Sequence, residues 1–126
     1  MEGEMAIFTR AQEHTFELHG NHMVGLAVPS RGAAQVEVWR ADMDAGAATP
    51  AHQHDHEEIV IVLKGRGHAR IGNDEITFQA GDTLILPAGR VHQLFAETAI
   101  ESIAAMPLRS PVRTPDGQVM ELPWRT

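Results

Sequence analysis

The stretch "HQHDHEEIVIVLKG", residues 52–65, packs three histidines and three acids against an apolar run. His52 and His54 are two apart, so on a strand they face the same way, about 7 Å apart. Their imidazoles are long enough to converge on one ion at roughly 2.1 Å. Glu58 has the same parity, but six residues of unbroken strand would carry it about 20 Å from His52. If Glu58 shares an ion with the two histidines, the chain must turn or bulge after His54. The polar segment Asp55-His56-Glu57 suits such a bend and is expected to face water. Glu58 then opens the buried run from Ile59, where an acid is costly to bury unless a counter-charge such as a cation meets it. On these residues alone two alternatives stay open: His54 and His56 chelate as well as His52 and His54, and the stretch also reads as an exposed histidine-rich loop.

Working outward, His92 lies in "LPAGRVHQLF", residues 86–95, after a tight turn that feeds a strand. Alone it reads as a hydrogen-bonded strand residue; beside the first cluster it reads as a fourth ligand. Short β-type runs separated by turn residues dominate from about residue 35 onward. They are "AQVEVWRADM", "EIVIVLKG", a hairpin in "RGHARIGNDEITF" turning at Gly72-Asn73-Asp74, Thr83 to Leu86, a strand from Val91, and "AIESIAAM". Strands this short and regular predict an all-β sandwich or barrel. The only helix expected is a short one over Ile7 to Glu13.

The ends break this rhythm. Residues 1–34 read as an N-terminal extension, partly strand, as in "HMVGLAV". Residues 35–106 read as the barrel. Residues 107–126 hold four of the seven prolines. Proline removes a ladder donor, so this tail is expected to loop and to pack on the barrel or on a partner. Trp124 is its expected anchor.

Composition narrows the function. The 126 residues suit one domain. Cysteine is absent and eight histidines are available, which points to imidazole and carboxylate as the ligands of any metal. A formal charge of −7 disfavours nucleic acid as a partner. The acid-bearing start "MEGEMAIFTR" predicts no signal peptide, and no apolar run approaches the roughly 20 residues of a membrane span. A soluble cytoplasmic protein without a membrane partner is the expectation.

Two ordered motifs resemble those of the cupin superfamily. The first runs "GAATPAHQHDHEEIVIVLKG", Gly46 to Gly65, with His52, His54 and Glu58 in the ligand positions. The second runs "GDTLILPAGRVHQLFA", Gly81 to Ala96, with Pro87, Gly89 and His92 in place. Ala96 departs from the pattern, where asparagine is common. The resemblance covers about two fifths of the chain and selects His52/His54 over His54/His56, because Gly46 and Glu58 fit only the former. It implies a cupin-type jelly-roll β-barrel around one divalent transition metal (Mn, Fe, Co, Ni, Cu or Zn) held by His52, His54, Glu58 and His92.

An octahedral ion with four protein ligands keeps two positions open for Lewis-acid, hydroxide or oxygen chemistry. The leading expectation is a dioxygenase-like oxidoreductase acting on a small organic molecule, with Glu58 as a possible base. The alternatives are a redox-neutral isomerase, decarboxylase or lyase, and a non-catalytic binding module. Trp39 and Met43 share a strand face with Ala41 and are expected to be core that merges with the pocket wall. Leu94 and Ala96 alternate with His92 and face inward. Ala96 either enlarges and dries the pocket or is tolerated variation. Gln93 and Phe95 should point away. Gly67, Ala69 and Ile71 share one face and Arg66, His68 and Arg70 the other; whichever faces inward, the opposite set is solvated. Cupins commonly pair, so a homodimer is expected.

Overall fold

A computed structural model describes residues 5–126 of the chain. The first four residues of the expected N-terminal extension lie outside the described residues. Eleven strands form three antiparallel sheets, with three short 3₁₀ turns between them. The protein is all-β, with its strands arranged as a jelly roll. The six-stranded sheet has the order β1 (Thr15–Leu18), β2 (Asn21–Ala27), β3 (Val36–Met43), β10 (Ile100–Pro107), β5 (Glu58–Lys64), β8 (Thr83–Leu86). Facing it are a three-stranded sheet of β7 (Asp74–Gln79), β6 (Arg66–Ile71) and β9 (His92–Ala96), and the pair β11 (Val112–Arg113) and β4 (Gln53–His54). Among the described residues, no helix is long and apolar enough to cross a membrane.

The period of two in the sequence is visible as burial. In β10, Ile100, Ser102, Ala104 and Met106 are buried and the residues between them are half-buried. In β6, Gly67, Ala69 and Ile71 point inward, while Arg66 and Arg70 are exposed. On the outer face His68 stacks on Phe95 with ring centroids 4.6 Å apart, so Phe95 does point away from the interior. The core joins both layers through Met23, Trp39, Val60, Val62, Phe78 and Leu86. Each such apolar side chain contributes roughly 1.5–3 kcal/mol when fully buried.

Both ends join the barrel. Val24 of β2 pairs with Arg40 of β3, so the strand assigned to an N-terminal extension is an integral member of the large sheet. The tail pairs β11 with β4, with Val112 opposite His54, and buries Trp124. Arg125 donates to the buried carboxylate of Glu37 on β3 and to the Ser110 carbonyl, which ties the C-terminal turn down. The helix expected over Ile7 to Glu13 is not formed. That segment holds one 3₁₀ turn, Arg10–Gln12, capped by Thr9 and Gln12. It buries none of its residues, so no apolar face holds a longer helix together.

Candidate metal centre

The site is built where β4 and β9 meet. His52 and His92 exchange both backbone hydrogen bonds, at 3.0 and 2.8 Å. An antiparallel pair of this kind holds its Cα atoms about 5.5 Å apart. The two imidazoles therefore leave the backbone side by side, with ring centroids 4.3 Å apart. The turn after β8 is docked on the same place. Gly89 adopts a left-handed φ of 72° and its N–H donates to the His54 carbonyl at 2.8 Å. Any residue with a side chain would be strained there.

The bend demanded by the sequence exists at Asp55 and His56. Arg113 holds the Asp55 carboxylate through two bonds of 2.9 and 3.2 Å, and the Asp55 N–H reaches the Pro111 carbonyl. The His56 ring turns to the Ser110 hydroxyl at 2.9 Å, away from the other histidines. Asp55, His56 and Glu57 are exposed, and the chain re-enters at Glu58, which is buried.

One potential ligand atom from each of His52, His54, Glu58 and His92 lies within 4.8 Å of all the others. The Nε2 atoms of His52 and His92 are 3.1 Å apart. Oε1 of Glu58 lies 3.3 Å from His54 Nε2 and 3.5 Å from His92 Nε2. Two donors at roughly 2.1 Å from one ion sit about 3.0 Å apart at a right angle and about 3.4 Å apart at a tetrahedral angle. These spacings fit a single ion.

The second ring nitrogens decide which atoms are free. His52 Nδ1 lies 2.6 Å from the Pro50 carbonyl, and His54 Nδ1 lies 2.9 Å from the Met106 sulfur. A carbonyl and a thioether can only accept, so both rings carry their proton on Nδ1 and present a lone pair at Nε2. His54 Nε2 is buried with no hydrogen-bond partner. It faces a carboxylate oxygen that also only accepts. The Glu58 oxygen has a donor in His92, but His54 Nε2 has none among the described residues, and a buried lone pair 3.3 Å from a second acceptor is costly. A cation between them removes the conflict, so this group can hold a metal ion.

Protonation agrees. Burial pushes the His54 imidazole down to about 4, and burial followed by the field of His92 lowers His52. Burial alone would raise the Glu58 carboxyl, but the hydrogen bond from His92 and the field of the three imidazoles bring it below the ordinary carboxylate range. At neutral pH His52 and His54 are therefore uncharged and Glu58 is ionised, which is the state that metal binding requires.

These groups close one end of a cavity of about 90 Å³. One water needs roughly 10–15 Å³ on such a measure, so there is room for several waters or one small organic molecule. Trp39, Met43 and Leu94 line it. Ala96 does not: it is buried in the core, opposite Gly67 on β6. Four residues of strand carry it about 13 Å from His92, too far along β9 to shape the pocket. Residues that strand parity within the motifs did not suggest complete the wall: Met23 from β2, and Met120, Leu122 and Trp124 from the tail. The lone tryptophan of a proline-rich tail was their one local signal. Among the described residues, Glu58 is the only acid in the lining, and no lysine or arginine belongs to it.

A sequence profile described as "Cupin domain" matches residues 39–102, half of the chain. Auxin-binding protein 4 of Zea mays is 26% identical over 117 residues, covering 83% of this chain and 57% of that protein. The chain thus spans less than two thirds of this relative's length. Among solved structures, the polyketide cyclase RemF from Streptomyces resistomycificus superposes with a TM-score of 0.78 at 18% identity, covering 96% of this chain and 91% of that one. A salicylate 1,2-dioxygenase from Pseudaminobacter salicylatoxidans gives 0.63 at 18% identity, covering 68% and 26%. These two likenesses establish the fold.

Proposed function

This chain belongs to the cupin superfamily, and from that membership we propose that it is a mononuclear metal enzyme of the dioxygenase-like type, acting on a small organic molecule. The observation that carries the proposal is the pair of buried acceptors, His54 Nε2 and Glu58 Oε1, facing each other at 3.3 Å. His52, His54, Glu58 and His92 would hold one divalent transition metal per chain. Once bound, such an ion supplies Lewis-acid polarisation, a bound hydroxide or, with a redox-active metal, oxygen chemistry.

The chain's own residues define what else fits. Trp39, Met43, Leu94 and Trp124 offer carbon surface and no charge. They exclude water and favour a molecule with an apolar body. Its oxygen atoms would sit at the histidine end, because among the described residues no cationic side chain elsewhere in the lining pairs with an anion. Glu58, the single carboxylate of the lining among the described residues, is the candidate to take a proton from such a molecule. The exposed Ile61, Leu63 and Ile85 on the outer face of the large sheet suit the expected homodimer.

Two other readings have specific support. The cyclase neighbour favours redox-neutral chemistry, and the auxin-binding relative favours binding without turnover. Elemental analysis tests the metal: His52→Ala or His92→Ala should lose it, whereas His56→Ala should keep it. Equal loss from His56→Ala would refute the assignment. Oxygen uptake across catechols, flavonols and β-diketones, with the Fe, Cu, Ni and Mn forms, tests the chemistry. Consumption of substrate without oxygen would move the assignment to the redox-neutral class, and binding without consumption to the binding module.

A further inference from the structure

The three candidate histidines differ in what holds their other nitrogen. His52 Nδ1 meets the Pro50 carbonyl at 2.6 Å, a backbone acceptor that any sequence would provide. His92 Nδ1 is buried with no partner among the described residues. His54 Nδ1 meets a side chain from a strand far away in sequence, the Met106 sulfur at 2.9 Å. Both residues are nearly inaccessible, His54 at 2% and Met106 at 3% exposure. Met106 projects inward from β10 at the end of the run Ile100, Ser102, Ala104, Met106. No water competes for the contact, and a thioether has no proton to give.

We propose that Met106 is a positioning residue for the metal site: its sulfur accepts the His54 Nδ1–H, fixes the Nε2-coordinating tautomer and sets the ring's orientation. This rests on the metal reading of the same four residues. The logic is that of the outer partners of metal-bound histidines, which commonly set affinity by tenfold or more. Two features distinguish this instance. The acceptor is a weak one, so His54 gains less electron density than it would from a carboxylate or carbonyl partner. The acceptor is also a side chain, so mutation can remove it, unlike the partner of His52. Orientation matters here because the His54 and His92 rings stack at 4.9 Å and an interplanar angle of 15°. A freed His54 ring would rotate against His92 and take Nε2 away from Glu58.

Met106→Leu keeps the volume and the apolar character but deletes the acceptor. Met106→Gln offers an amide oxygen in nearly the same place. Two measurements are made on each variant and on the full wild-type chain. In the metal-free protein, ¹⁵N-resolved spectra of the imidazoles report whether His54 carries a slowly exchanging proton on Nδ1. In the loaded protein, competition with a chelator for Zn²⁺ reports affinity, and the visible spectrum of the Co²⁺ form reports ligand geometry. The expected result is a protected Nδ1–H in wild type that is lost in Met106→Leu. Zn²⁺ affinity should fall about tenfold and the Co²⁺ spectrum should change, with recovery of all three in Met106→Gln. Wild-type affinity and spectrum in Met106→Leu would overturn the proposal. So would a proton found on His54 Nε2 in the metal-free wild type. If wild type bound no metal while its Nδ1–H were present and lost in Met106→Leu, the tautomer assignment would stand and the metal reading would fall.

Discussion

The His54 imidazole makes a sharp claim about stability in acid. In the folded, metal-free protein it is held neutral to about pH 4, whereas in the unfolded chain it takes its proton near the ordinary imidazole value of 6.5. Below 6.5 the unfolded state therefore binds more protons than the folded one, and stability declines with falling pH until about 4. At roughly 1.4 kcal/mol per pH unit, His54 alone removes about 2 kcal/mol by pH 5 and about 3 kcal/mol by pH 4. For a domain of this length about 4 °C of melting temperature accompanies each kcal/mol, so Tm should drop by about 8 °C between pH 7 and pH 5. His52, also lowered by burial, acts with the same sign. Glu58 contributes little in that window, because its carboxyl titrates below the ordinary carboxylate range and its stabilisation is lost only at lower pH. Circular-dichroism melts of chelator-treated protein measure the slope, with His54→Gln as the reference. The variant should be flatter by about the amount calculated. A wild-type Tm that stays level from pH 7 to pH 5, or an equal slope in His54→Gln, would refute the buried neutral imidazole. A metal held by the same nitrogen should raise Tm at pH 7 and lose that advantage over the same interval, since protons and metal compete for Nε2.

Two further predictions concern the framework around the site. Glu37, 1% exposed, is the partner of the half-buried Arg125 guanidinium, which also holds the Ser110 carbonyl, so Glu37→Gln should cost about 1.5–3 kcal/mol in urea unfolding by taking the charge out of that hydrogen bond; wild-type stability would show that the pair does not hold the tail. Gly67 allows β6 and β9 to approach, since a Cβ there would lie 2.1 Å from the Phe95 carbonyl oxygen. Gly67→Ala should therefore cost about 1–3 kcal/mol and weaken metal retention through displaced β9, and an unaltered melt would contradict the register.

Much of this was legible from period-two patterning and turn residues. Thr83–Leu86 is a strand as expected, and the Ile71↔Asp74 pair closes the predicted hairpin around Gly72. The bend after His54 followed from arithmetic, since no straight strand lets His52 and Glu58 meet. What the sequence did not reveal depends on contacts between distant segments. Nothing local marks Met106 as a neighbour of His54; the two are 52 residues apart and meet only because the inward side of β10, in the six-stranded sheet, turns Met106 onto the His54 ring. Ala96 fails for the same reason in reverse. Alternation correctly turns it inward but says nothing about depth along the strand, and inward here means core, not cavity.

The division of labour inside the barrel bears on how far relatives can guide the search for a substrate. The four candidate ligands come from the two motifs, on or beside strands β4, β5 and β9. Much of the wall that a substrate would touch comes from elsewhere: Met23 from β2, and Met120, Leu122 and Trp124 from the tail. These segments lie outside residues 39–102, the region that matches the family profile. A shared centre thus carries information about which atoms a bound ion would meet, and almost none about the shape around it. The tail wall is held by a few removable contacts, chiefly Arg125 with Glu37 and the pairing of β11 with β4. Changing Leu122 or Trp124 alters the cavity without touching a ligand. Substrate preference should therefore follow the tail and β2, and metal affinity should follow the motifs. Variants at Trp124 and His92 should separate the two properties when ligand binding and metal content are measured on the same protein.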